Sequence, residues 1–276
     1  MQVRVWYPRG DGHPAVTLPV VVASHGSCGS IDNNRSLYRE LASHGYVVLA
    51  VSHPRHAFET LHSDGRKQRV SMQYLGEMVG MDAQQNPEDA AGVFAAWMKL
   101  RMTDLAAVMD DFTERAARAD DPFPSADTTW FVTLRLSAGG SAALGMARIR
   151  ADVVGIIALE SPCVFDIKGA QDGEYIMDVS DYEVPVLNVY SDASYAHLRE
   201  WKQYRNNVRF LESDRDNYEN MYYAGTGHMG LCDLSLASPI LAGLLDQMRG
   251  TVPPEEQLAR LNADCLHFLQ RVSWDR

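Results

Sequence analysis

The sequence has few cysteines, and no two of them lie close together. Cys28, Cys163, Cys232 and Cys265 form no Cys-x-x-Cys pair and no spacing typical of metal ligands. Free cysteine is among the most often buried residue types. We therefore expect four reduced, mostly buried thiols and no metal site.

Positive charge and long apolar runs are also scarce. The 276 residues include 25 lysines and arginines against 36 aspartates and glutamates, so the formal net charge is −11. A nucleic-acid partner requires a basic face, and this charge balance argues against one. No apolar run approaches the roughly 18 residues that a membrane span needs. We expect neither nucleic-acid binding nor a membrane span.

The N-terminal residues QVRVWYP resemble a strand and not a signal peptide. We therefore expect a cytoplasmic protein, although secretion after removal of a leader stays open. With 46% hydrophobic residues, the chain is long enough to bury one large α/β core. Since it has no obvious linker or internal repeat, we predict a single domain over residues 1–276.

Short apolar runs alternate with helical patterns along the chain. Runs such as LPVVVA, YVVLAV and VVGIIAL are typical of parallel strands that helices cover on both faces. The predicted strands are 3–7, 18–23, 46–51, the run that ends before Ser137, 153–159, 185–190 and 208–211. This alternation predicts an α/β fold with a mostly parallel central sheet flanked by helices on both faces.

Residues 56–102 interrupt the alternation. They contain polar turns and a methionine-rich stretch, followed by a helical pattern over residues 90–100. The segment is too long for a simple connection between a strand and a helix. We predict a lid-like insertion over the top of the sheet.

The segment FVTLRLSAGGSAAL, residues 131–144, is typical of a nucleophile elbow. An apolar strand ends at Ser137, two glycines follow within three residues, and a helix of small residues begins. Such a turn exposes the serine hydroxyl, and the start of the helix offers N–H groups and a positive dipole end to an oxyanion. The pattern departs from the usual one at Arg135, where glycine is common.

A serine nucleophile needs a base within hydrogen-bond reach, and the base needs an acid that orients it. His228 lies in the glycine-rich loop GTGHMGL after the last predicted strand, so we predict that it is the base. Two carboxylates are candidates for the acid. Glu160 follows strand 153–159 and Asp192 follows strand 185–190, and from their positions either could reach a histidine at the same edge of the sheet.

The predicted oxyanion hole consists of two backbone N–H groups. One belongs to Ala138, the residue after the nucleophile. The other belongs to Ser27 in the loop SHGSCGS, which follows strand 18–23. His25 and Gly26 shape that loop.

With these motifs, the chain resembles the α/β-hydrolases, and more narrowly their platelet-activating factor acetylhydrolase and dienelactone hydrolase-like branch. The resemblance is carried by LPVVVASHGSCGS, RMTDLAAVMDDF, VVGIIALES and GTGHMGLCDLS. It implies an α/β-hydrolase fold and a cofactor-free serine esterase acting on small acyl esters or phospholipid-like acyl groups. In the acetylhydrolases the acid follows the strand after the elbow, which corresponds to Glu160. In the dienelactone-type relatives it follows the next strand, which corresponds to Asp192; the resemblance slightly favours Glu160.

Two functions are consistent with these residues. In the first, Ser137 attacks an ester carbonyl and forms an acyl-enzyme, His228 accepts the proton, and water releases the acyl group. Its expected partner is a small-molecule ester. In the second, the chain is a non-catalytic or weakly active homologue that binds an apolar ligand, because Arg135 replaces the usual elbow glycine. The sequence leaves the oligomeric state open, and a homodimer is one expectation.

Overall fold

The computed structural model describes residues 1–8, 17–118, 126–246 and 250–274, apart from the side chains at positions 135, 138, 140 and 274. The strands in this part of the chain are β1 (Gln2–Trp6), β2 (Leu18–Ser24), β3 (Val47–Ser52), β4 (Glu59–Leu61), β5 (Lys67–Arg69), β6 (Ala126–Leu136), β7 (Val153–Leu159), β8 (Ile167–Gln171), β9 (Glu174–Met177), β10 (Val186–Ser191) and β11 (Tyr218–Tyr223). The α-helices are α1 (Arg35–Ser43), α2 (Met72–Gly80), α3 (Pro87–Ala116), α4 (Ala138–Ile149), α5 (Asp192–Tyr195), α6 (Arg205–Glu212), α7 (Leu234–Ala237), α8 (Pro239–Asp246) and α9 (Pro254–Trp274). None of the described helices combines the length and the apolar character that crossing a membrane requires.

The central sheet has seven strands in the order β1-β3-β2-β6-β7-β10-β11. Strand β1 pairs with β3 antiparallel, and the other neighbours pair parallel. The prediction of a mostly parallel central sheet is therefore confirmed. Because β2, β6, β7, β10 and β11 run in the same direction, their carboxyl ends meet along one edge of the sheet, where ligand sites of such sheets form.

Helices cover both faces of the sheet because the strands are apolar on both sides. In β2, Val21 and Ala23 pack into a buried cluster with residues of α1 and α9. Val20 and Val22 point the other way and pack with residues of α3 and α4. The two layers hold the strands from both sides and thereby position the carboxyl ends of the strands, where the candidate residues lie.

Helix α3 runs unbroken through the second half of the predicted insertion. Its residues Phe94, Trp97 and Met98 are buried in the same cluster as the α4 residues, so residues 87–102 belong to the helical layer. Residues 56–86 form the short strands β4 and β5 and helix α2. They contact the loop after β2, since Cys28 N–H donates to His56 O over 3.1 Å. A lid over residues 56–102 is not confirmed.

The prediction of a strand at residues 208–211 is wrong. These residues lie in α6, where Asn206, Asn207 and Phe210 are buried at helical spacing. The last strand of the sheet is β11, with the sequence YENMYY. It lies at the edge of the sheet, where polar and half-exposed side chains are tolerated, so it lacks the apolar run that marks the inner strands.

Candidate active site

Ser137 occupies the sharp turn between β6 and α4. Its backbone has φ 56° and ψ −132°, in the region that non-glycine residues rarely adopt. Such a conformation costs about 1–3 kcal/mol and persists only where the surroundings impose it. The Ser137 N–H donates to Leu159 O over 2.9 Å, which ties the turn to β7. The hydroxyl caps no N–H of α4, and the residue is half-buried.

The loop after β2 lies against this turn at two glycines. A Cβ atom on Gly139 would lie 2.7 Å from His25 O and 3.1 Å from Ser24 O. A Cβ atom on Gly26 would lie 3.4 Å from the Ser137 Cβ. At Gly139 only a residue without a side chain allows the loop and the helix start to approach so closely, whereas a Cβ at Gly26 would make an ordinary contact.

This packing positions the residues whose two backbone N–H groups are predicted to form the oxyanion hole. Ser27 follows Gly26 directly, and its N–H has no acceptor in the part of the chain that the structure describes. The Ser27 hydroxyl accepts a hydrogen bond from Tyr74 Oη over 2.7 Å. Ala138 is the first residue of α4, so its N–H belongs to the unpaired N–H groups that begin a helix. The side chains of Ala138 and Arg135 lie outside the described part, while the Arg135 backbone pairs in register with Ser24.

The Glu160 carboxylate and the His228 ring are hydrogen-bonded. Glu160 follows the last residue of β7 with φ 48°, and its N–H donates to Val189 O over 2.7 Å. His228 begins a short 3-10 helix in the loop after β11. The His228 Nδ1 lies 3.2 Å from Glu160 Oε2. The glutamate side chain is buried, and the histidine side chain is 24% exposed.

A second hydroxyl supports the buried carboxylate. Ser191, the last residue of β10, has its Oγ 2.7 and 2.6 Å from the two Glu160 carboxylate oxygens. Burial alone would raise the pKa of Glu160, but the hydrogen bonds and charge of His228 and the Ser191 hydroxyl lower it below its usual range. Sequence reasoning missed Ser191, because a serine at the end of a strand has many ordinary roles.

Asp192 lies near this pair but bonds elsewhere. Its carboxylate accepts hydrogen bonds from the Tyr222 hydroxyl and from Gly225 N–H, the latter over 2.9 Å. Its own N–H donates to Thr226 O over 2.9 Å. Among the described contacts Asp192 has none with the His228 ring, and it instead fastens the start of the loop that carries His228.

Asp246 fastens the other side of that loop. Both of its carboxylate oxygens accept from Met229 N–H, at 2.9 and 3.0 Å. Burial would lower the pKa of His228, but the hydrogen bond and charge of Glu160, with the charge of Asp246, raise it above the ordinary value of 6.5. Nothing in the sequence identifies Asp246, since it reaches the loop from the separate helix α8.

A second hydrogen-bonded set of a serine, a histidine and an aspartate side chain lies behind the loop after β2. His53 Nε2 lies 2.6 Å from Ser24 Oγ, and His53 Nδ1 lies 2.9 Å from Asp104 Oδ2. Ser24 and His53 are 2% and 0% exposed, so no ester reaches them. We assign a structural role to these three side chains. The described residues contain no group of three histidine, cysteine or carboxylate side chains that could hold a metal ion.

The close approach at Gly139 gives a stability prediction. We expect Gly139→Ala to lower the free energy of unfolding by about 1–3 kcal/mol, because the new methyl group would press on backbone atoms of the loop after β2. Gly92→Ala in α3 is the control, since its Cβ meets nothing and alanine favours a helix by up to about 1 kcal/mol. Urea unfolding of both variants measures the difference. Equal stability of the two variants would contradict the packing described for the elbow.

Comparison with known protein families supports the resemblance seen in the sequence. Residues 10–79 match the sequence model of a family described as "Platelet-activating factor acetylhydrolase, isoform II". The match includes β2, the loop with Ser27, α1 and β3. A search of curated proteins finds no match.

Among the solved structures that are similar to this chain, two illustrate the likeness over most of its length. One is a ferulic acid esterase from Streptomyces cinnamoneus, with 20% identity and a TM-score of 0.62, covering 93% of this chain and 68% of that one. The other is a dienelactone hydrolase-like promiscuous phosphotriesterase from metagenomic libraries, with 17% identity and a TM-score of 0.59, covering 98% of this chain and 92% of that one. The predicted α/β-hydrolase fold is confirmed, and the family match supports a carboxylic ester hydrolase. The chain is an α/β-hydrolase in fold, and over residues 10–79 it carries the sequence pattern of the platelet-activating factor acetylhydrolase family.

Proposed function

We propose that the protein is a serine hydrolase that cleaves carboxylic esters through an acyl-enzyme on Ser137. The observation that carries the proposal is the hydrogen bond between Glu160 and the His228 ring, at the sheet edge that also holds the elbow. The order along the chain is serine, acid, histidine, as is usual for this sheet type. The expected substrates are small acyl esters or phospholipid-like acyl groups, in keeping with the family match and the esterase neighbour.

The Glu160–His228 contact determines which ring nitrogen of His228 acts as base. When Nδ1–H donates to the ionised Glu160 carboxylate, the neutral ring has no proton on Nε2. That nitrogen then accepts the Ser137 hydroxyl proton as Oγ attacks the ester carbonyl. The carboxylate stabilises the imidazolium that forms, and the imidazolium passes its proton to the departing alcohol.

The negative charge that develops on the carbonyl oxygen requires donors that are already in place. We assign this role to the N–H groups of Ser27 and Ala138. Support comes from the absence of an acceptor for Ser27 N–H among the described residues and from the position of Ala138 at the start of α4. After the alcohol leaves, His228 activates a water that attacks the acyl group, and Ser137 is regenerated.

The alternative, a non-catalytic homologue that binds an apolar ligand, depends on Arg135 alone. The Arg135 backbone keeps the strand register with Ser24 on one side and Ala158 on the other. The turn that follows has the strained serine conformation expected of an elbow. These observations favour the hydrolase.

Covalent labelling distinguishes the two functions. We expect a fluorophosphonate probe to attach to Ser137 in the folded protein, and Ser137→Ala to abolish both labelling and hydrolysis of p-nitrophenyl acetate. Ser141→Ala is the control, because Ser141 lies in α4 one turn after the elbow and donates its hydroxyl to Pro162 O in the loop after β7, so we expect labelling to persist. Folded wild-type protein that neither reacts with the probe nor hydrolyses the ester would favour the non-catalytic alternative.

The choice between the two carboxylates has its own test. We expect Glu160→Gln to lower kcat by about 10³–10⁴-fold, because the amide no longer orients and charges the ring. For Asp192→Asn we expect a loss below about tenfold, since Asp192 fastens only the loop.

The pH profile of the same variants checks the assignment. Hydrolysis needs neutral His228, whose pKa is raised, so wild-type kcat/KM falls as the pH drops through a midpoint above 6.5. Glu160→Gln shifts that midpoint to lower pH because it removes the charge that favours the imidazolium. A larger kcat loss and midpoint shift in Asp192→Asn than in Glu160→Gln would overturn the choice of acid.

A further inference from the structure

Arg101 lies directly behind the loop that carries Ser27. Its side chain is fully buried, and Nη1 donates to His25 O over 2.8 Å while Nη2 lies 3.4 Å from Gly26 O. Within the part of the chain that the structure describes, no carboxylate forms an ion pair with it. Its charge acts on the Asp104 carboxylate one helical turn further on, but that carboxylate is hydrogen-bonded to His53. Burying an arginine without a direct ion pair is costly, so space filling in the core explains this residue poorly.

Helix α3 holds both sides of the loop's base. One turn after Arg101, the Asp104 carboxylate binds His53 Nδ1 over 2.9 Å. His53 in turn binds Ser24 Oγ through Nε2 and donates its backbone N–H to His25 Nε2 over 3.2 Å. Helix α3 thereby holds the end of β2 and the first residues after it, while Tyr74 and the carbonyl of His56 hold the next residues, Ser27 and Cys28.

The carbonyl oxygen of Gly26 accepts from His25 Nδ1 over 2.7 Å and from Gly29 N–H over 3.2 Å, and Arg101 Nη2 lies 3.4 Å away on the same side. These contacts together determine where Ser27 N–H points. Gly26 C=O and Ser27 N–H belong to one planar trans peptide, so the two groups point in opposite directions. Arg101 lies on the side of this peptide to which the carbonyl oxygen points. The Ser27 N–H therefore faces away from Arg101. Gly26 lies close to the elbow, since a Cβ atom at this position would lie 3.4 Å from the Ser137 Cβ.

We propose that Arg101 is a positioning residue for the oxyanion hole: through His25 O and, with His25 and Gly29, through Gly26 O it helps to hold the loop so that Ser27 N–H faces the reacting ester, and its charge favours the oxyanion. This inference rests on the function proposed above and assigns that reaction a further residue. Arg101 does not touch the substrate. It acts through the peptide that it binds and through the positive potential behind it.

The charge of Arg101 affects the pKa values of two side chains near this loop, Cys28 and His56. The pKa of the Cys28 thiol is raised by burial, and the charge of Arg101 opposes the rise. The pKa of His56 is lowered to about 3 by burial and by the charge of Arg101. Cys28 directly follows Ser27, so the field of Arg101 reaches the predicted oxyanion site.

The test compares Arg101→Met with Arg101→Lys, and uses Arg148→Met as a matched control. Arg148 is also a mostly buried arginine that donates to backbone carbonyls, those of Ser180 and Asp181, but it lies in α4 away from the loop after β2. We expect Arg101→Met to lower kcat for p-nitrophenyl acetate by about 10- to 100-fold with KM changed less than about threefold, the effect of a misplaced group that acts in the transition state. Arg101→Lys should recover part of kcat, because one carbonyl contact and the charge persist.

We expect the control variant, Arg148→Met, to lose stability and to keep kcat within about threefold of wild type. A second readout is the pH at which iodoacetamide alkylates Cys28, the one half-exposed cysteine. We expect this pH to rise in Arg101→Met and to stay unchanged in Arg148→Met. If Arg101→Met does not fold, Arg101→Lys alone must lower kcat with an unchanged KM.

Each outcome has a distinct meaning. An active wild type whose Arg101 variants keep kcat would overturn the inference and leave the proposed function in place. A rise in KM equal to the loss in kcat/KM would also overturn it, since that pattern reports substrate binding alone. A wild type that hydrolyses no ester would overturn the proposed function itself, and the inference with it.

Discussion

The hydrogen bond between the buried Glu160 carboxylate and the His228 ring is the contact on which the site depends. A buried carboxylate is costly unless its charge is compensated, and here His228 and Ser191 compensate it. The two partners come from the end of β7 and from the loop after β11, and β10, which carries Ser191, lies between these strands in the sheet. The order of the parallel strands thus determines which of the candidate side chains meet at this end of the sheet.

Backbone strain is concentrated at the same edge of the sheet. Cys28, Ser137 and Glu160 all have positive φ values without being glycine, and each follows the end of a different parallel strand. Strain of this kind persists only where surrounding structure imposes it. Here the buried apolar strands and the close approach at Gly139 impose it, so the stability of the core layers maintains the unfavourable turns at which the candidate residues Ser137 and Glu160 lie.

The inner strands, the elbow and the glycine-rich histidine loop could be predicted from the sequence, because buried parallel strands and tight turns leave strong local patterns. The edge strand β11 could not, since YENMYY carries polar residues that an edge tolerates. The sequence alone left Glu160 and Asp192 open, because both follow strands at one edge and only side-chain directions separate them. Arg101 and Asp246 act from helices distant in sequence, and their contacts depend on tertiary packing that no local pattern reports.

A structure of the protein inhibited by a fluorophosphonate tests the central claim most directly. The account predicts phosphorus bonded to Ser137 Oγ and one phosphoryl oxygen within hydrogen-bond distance of the N–H groups of Ser27 and Ala138. It also predicts His228 Nε2 facing the adduct while Nδ1 stays on Glu160. An adduct at another residue, or a His228 ring that bonds Asp192 in place of Glu160, would contradict it.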